Sequence, residues 1–152
     1  MKQYITCFTL AIITIFIEEY TQSRILKNYI LENGITLLLA LLAINVTSCV
    51  YTISRLLQLE DQYKSPGHFK KSKKEALFGF KEQFLFIIIS LLSIIICPLI
   101  IKLINTYKYF EFLSYYIGLI PILVLLTAVY FSIYATYDYA KSIIQASMDP
   151  ND

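Results

Sequence analysis

Along the chain, apolar residues gather into four long runs separated by polar stretches. The first, residues 4–17, holds 14 residues without a charge. That is about 21 Å at helical rise, short of the roughly 30 Å of hydrocarbon in a bilayer. It crosses only if Met1 and Tyr20 sit at the two interfaces or the bilayer thins. The second run, 35–57, carries Arg55 near one end, where a long side chain snorkels to the headgroups. The third covers 84–104 and the fourth 115–137. The pattern predicts an all-α polytopic membrane protein: a single transmembrane domain, 1–152, with four transmembrane helices in a bundle. The spans fall at about 1–20, 35–57, 84–104 and 115–137, with a basic loop over 58–83 and a tail over 138–152. Lys2 followed by a short apolar run also fits a signal peptide. No small-residue cleavage site follows, since the run ends Ile15-Phe16-Ile17-Glu18-Glu19, so an uncleaved first span is expected.

The polar stretches carry their own periodicity. Ile25, Leu26, Tyr29 and Ile30 recur at helical spacing. They predict either a short helix on the outer leaflet or an extension of the first span, with Asn33-Gly34 as its stop. Ser65-Pro66-Gly67 reads as a turn. Beyond it, Ser72 and Glu75 have capping-box spacing. A helix starting there would run unbroken into the third span, with Leu77, Phe80 and Phe84 on one face. Pro98 and Pro121 lie inside the third and fourth runs and favour kinks.

Composition excludes the other broad classes. Of 152 residues, 57% are apolar and 16% charged, with mean hydropathy +0.62. A soluble domain runs nearer 45–50% apolar and about 25% charged. Three cysteines and four glycines exclude disulfide and collagen scaffolds, and the aromatic content excludes disorder. The net charge of +2 hides an asymmetry. Of 13 basic residues, Arg55, Lys64, Lys70, Lys71, Lys73, Lys74 and Lys81 belong to the middle loop and its edge. Short loops rich in Lys and Arg stay cytoplasmic, so this loop and both termini are expected inside. If the first run does not cross, the N-terminus moves outside. With Tyr 13 and Trp 0, the tyrosines at 107, 109, 115 and 116 and at 130, 134, 137 and 139 form the interfacial belts.

Polar residues inside the spans line up. Asn45, Ser48, Thr52 and Arg55 fall within an arc of about 80°. Ser90, Ser93 and Cys97 repeat that spacing, and Ala128, Ser132 and Ala135 present a small face. Such faces let helices approach and bond across the contact, so these residues are expected to form a helix-packing seam. A pore lining is the alternative. Lys70, Lys71, Lys73, Lys74 and Lys81 are expected to grip anionic headgroups or a cytoplasmic partner, with no direct nucleic-acid binding. No catalytic constellation is visible. His68 is the only histidine, and Cys7, Cys49 and Cys97 form no CxxC pair or zinc set. Glu18-Glu19 reads as a membrane-boundary marker. The expectation is a non-enzyme with no metal and no cofactor.

Two functions remain. One is a sensor or scaffold subunit that self-associates in the lipid bilayer and works with a cytoplasmic effector protein. The other is an immunity protein against a pore-forming toxin, or a small ion channel. The short first span, the opening of span two at 34–45 and the charged loop over 69–83 resemble small four-span membrane proteins of bacterial phage-exclusion and phage-defence systems, of the Kiwa membrane-subunit type. The resemblance covers most of the chain and carries over no functional residue. It implies a homo-oligomeric sensor in the bacterial inner membrane, paired with a cytoplasmic DNA-binding effector.

Overall fold

Long apolar runs with few internal breakers favour long helices, and the chain forms four of them. In the computed structural model, α1 spans Lys2–Thr21, α2 Ile25–Gln62, α3 Lys70–Asn105 and α4 Glu111–Ser147. The structure describes residues 2–64, 67, 69–106 and 111–147. The described residues are all-helical apart from their turns, and all four helices are long and apolar enough to cross a membrane. Side chains such as Phe16 (71% exposed), Ile95 (59%) and Leu99 (57%) stand outward, a surface suited to lipid rather than water.

Helix α4 lies at the centre. Half of its apolar window is buried, against 17–22% for the others. It contacts all three partners, and the core gathers around Ile122, Leu125, Leu126 and Ala128 of α4. Ala11 of α1, Leu38 of α2 and Ile87 of α3 close on it. Tyr4 stacks on Phe131 at 5.2 Å, and Phe86 meets Phe131 at 4.9 Å, so one aromatic cluster joins α1, α3 and α4.

Two expectations change. First, 25–33 is neither a separate surface helix nor part of α1. It is the start of α2, which runs 38 residues, about 57 Å. The break falls at Gln22 and Arg24, both left-handed at φ 52. Gly34 does not stop the helix, because it is packed inside it. A Cβ there would meet Leu125 Cδ2 at 3.2 Å, so a glycine lets α2 and α4 close at this level. Asn33 bonds the Tyr29 carbonyl at 3.3 Å and caps nothing. Helix α1 holds 20 residues, about 30 Å, since it continues through Glu18 and Glu19 beyond the charge-free run. Second, α2 runs on to Gln62 and the helix expected from Ser72 into the third span starts at Lys70, so only 63–69 lies between α2 and α3. The Ser72–Glu75 capping box does not form: α3 starts at Lys70 with Phe69 as N-cap and no side-chain cap.

The turn residues Ser65 and Pro66, His68, Tyr107, Tyr109 and the tail 148–152 lie outside the described residues. Gly67 takes φ 84, the left-handed value a turn glycine supplies. Helices α3 and α4 continue through Pro98 and Pro121.

Candidate functional site

The registers of the helices decide what sits beside what. Asn45 of α2 faces Gln83 of α3 and Ser132 and Thr136 of α4. At nearly the same level Tyr4 of α1 donates to Glu82, and Gln3 donates to Asp138 at 3.2 Å. The N-terminus of α1 is therefore level with Glu82. Beyond that level α3 continues for about 18 Å over residues 70–81, and α2 continues through 46–62 for about 25 Å. Helix α4 runs on to Ser147. These three helices overrun α1 as a stem at the end that carries the 63–69 connection.

A polar cluster marks the top of this stem. Asn45, fully buried, donates through Nδ2 to Gln83 Oε1 at 3.0 Å and to the Ser132 carbonyl at 3.1 Å. Its Oδ1 accepts from Thr136 Oγ1 at 2.7 Å. One side chain thus ties three helices together, since an amide offers two donors and an acceptor. Gln83 is 1% exposed, and its Nε2 has no hydrogen-bond partner among the described residues. Lower in the stem, Tyr139 donates to the Ala76 carbonyl at 2.9 Å. Gly79 gives its hydroxyl room, because a Cβ there would lie 3.2 Å away.

The far end is latched by Glu60, which is 7% exposed. Its Oε1 accepts from the Phe69 N–H at 3.0 Å, and its Oε2 accepts from Lys73 Nζ at 2.7 Å. A helix N-terminus leaves its first N–H groups without intrahelical partners and favours an anion. Glu60 of α2 fills that role for α3, where the sequence suggested Ser72. The Lys73 ammonium, and then the Phe69 N–H, hold the Glu60 carboxyl below the usual carboxylate range.

The expected seam residues separate into groups. Asn45, Thr52, Ser90 and Cys97 are buried, while Ser48 and Ser93 are half-buried. Thr52, Ser90 and Ser93 bond carbonyls of their own helices, so only Asn45 bridges helices. Arg55 turns to Gln58 on its own helix at 3.3 Å. The cluster draws on α4 as well as α2 and α3, and Gln83 and Thr136 join it from outside the stripes; Glu60, also outside them, makes the separate latch at the far end. A signal for Gln83 was present: residues 83, 90 and 97 recur every seven positions on one face. Glu60 lies one helical turn beyond buried Leu56.

Of the lysines, Lys73 is half-buried against Glu60 and so is not free for headgroups. Lys70, Lys71, Lys74 and Lys81 are exposed. Lys71 approaches Glu75 at 3.9 Å with both side chains in solvent, a pair of little energetic worth. Among the described residues no group of three His, Cys, Asp or Glu side chains could hold a metal, and all three cysteines are buried and free. Comparisons with protein-family models, curated proteins and solved structures returned no match.

Proposed function

We propose that this chain is a non-enzymatic, multi-pass membrane scaffold whose basic end engages a cytoplasmic partner. One observation carries the reading. Three helices overrun the first, and the resulting stem is latched by Glu60 so that Lys70, Lys71, Lys74 and Lys81 stand outward with no internal role. A stem held this firmly is more than a positive-inside anchor needs, because flexible lysines serve that purpose. The positive-inside rule places this end, and both termini, in the cytoplasm. The large outward apolar surface of the spans leaves room for self-association. The resemblance to phage-exclusion membrane proteins supports the narrower reading, an oligomeric sensor of a bacterial defence system in the inner membrane.

The test is purification of the full chain with its membrane complement, beside a Lys70→Gln/Lys71→Gln/Lys74→Gln variant. The scaffold reading expects a stoichiometric soluble protein with the wild type and at least a tenfold loss with the variant. Ion flux from the purified chain alone, reduced by Asn45→Leu, would overturn it in favour of a channel.

A further inference from the structure

The opposite end of the molecule holds a polar cavity of about 500 Å³ at the turn between α1 and α2. Glu18, Glu19, Gln22, Arg24, Lys27 and Tyr115 line it. Both signs of charge face one space. Glu18 is 8% exposed, and its Oε1 accepts the Lys27 backbone N–H at 2.7 Å. This bond fixes the carboxylate against the first turn of α2. The carboxylate keeps further acceptor capacity, since each of its oxygens carries two lone pairs. Lys27 Nζ lies 3.7 Å from Glu19 Oε1 and 5.9 Å from the centroid of the Tyr115 ring. Arg24, the residue before α2, is exposed and makes no side-chain capping hydrogen bond. Exposed Tyr20 (84%) and Ile25 (75%) flank this turn.

A buried carboxylate with acceptor capacity left and an exposed guanidinium on one cavity suit opposite charges on one ligand. An anion alone would leave Glu18 unsatisfied and repelled, and a cation alone would leave Arg24 unused. A zwitterion answers both, and apolar residues beside the turn suit one that carries acyl chains. We propose that the cavity binds a phosphoethanolamine zwitterion presented by a membrane lipid, with its ammonium on Glu18 and Glu19 and its phosphate on Arg24 and Lys27. A choline headgroup has the same charges but no N–H to donate to Glu18, and a glycerol headgroup has no cation. The site therefore discriminates among lipids by hydrogen bonding as well as by charge. The proposal rests on the membrane reading of the chain and is independent of partner binding at the basic end.

Native mass spectrometry of the full chain in detergent, titrated with short-chain phosphatidylethanolamine, phosphatidylcholine and phosphatidylglycerol, tests it. Phosphatidylethanolamine should bind at least fivefold more tightly than either competitor. Glu18→Gln keeps an acceptor for the Lys27 N–H while removing the charge, and it should abolish the preference. Arg24→Gln, at an exposed side chain that caps nothing, should do the same even if the Glu18 variant fails to fold. Asp61→Asn, at an exposed side chain near the other end, should leave the preference intact. Equal binding of the three lipids, or a preference untouched by Arg24→Gln, overturns the proposal. Competition by soluble glycerophosphoethanolamine at equal concentration overturns the lipid as the source.

Discussion

Asn45 is central to the interior, because its one amide reaches both α3 and α4. Replacing it with leucine leaves the Ser132 carbonyl, Thr136 hydroxyl and Gln83 amide without those partners. The cost should be about 1–3 kcal/mol, the range for orphaned buried polar groups, read as lowered stability in detergent unfolding. Gln83→Leu removes an amide that is itself half-satisfied, so it should cost less than Asn45→Leu in the same assay. Asn45 was legible from its apolar surroundings and its place in a polar stripe. Its partners were less so, because Gln83 precedes the third apolar run and Thr136 is near the end of the fourth. Which helix a polar side chain meets depends on interhelical register, and one chain's periodicity does not set that. The same limit hid Glu18, which a sequence reading places at a boundary and the structure turns inward against Lys27.

At the scale of elements, the Glu60 latch makes the start of α3 dependent on α2. Glu60 has a depressed carboxyl pKa when folded, because Lys73 and the Phe69 N–H favour the charged form. Its stabilising effect is thus present above the unfolded carboxylate range and lost as pH falls through the lower, folded value. The protection factor for hydrogen exchange at 69–73, corrected for the intrinsic pH dependence of amide exchange, should therefore fall in acid in the wild type. In Glu60→Gln it should already be low at neutral pH and change little with acid. Protection that is high in both and unaffected by pH would remove the latch. Helix α2 meets α4 at Gly34, so Gly34→Leu should force these helices apart at a cost of about 1–3 kcal/mol, as overpacking does, visible as a lower detergent melting temperature. The long apolar cores of α2, α3 and α4 were readable from hydropathy. The fusion of 25–33 into α2 was not, because a glycine after an asparagine is also a common helix stop. Only the close approach of Leu125 shows why the helix continues there.

The whole molecule has two unlike ends joined by an apolar middle. One end is a three-helix stem with outward lysines, the other a cavity of mixed charge at the α1–α2 turn. Four runs and a concentrated basic loop were enough to expect this polarity. The length of the stem was not, since it follows from α1 ending beside Glu82 while its neighbours continue. The proposed arrangement places the stem in cytoplasmic water and the cavity on the far side of the membrane. Single cysteines at Lys71 and Gln22, in a chain with Cys7, Cys49 and Cys97 replaced by alanine, test this directly with a membrane-impermeant maleimide on intact bacterial cells. Gln22→Cys should label in intact cells, and Lys71→Cys only after the membrane is opened. Labelling of Lys71→Cys from outside, or of both sites equally before permeabilisation, would contradict the proposed cytoplasmic stem.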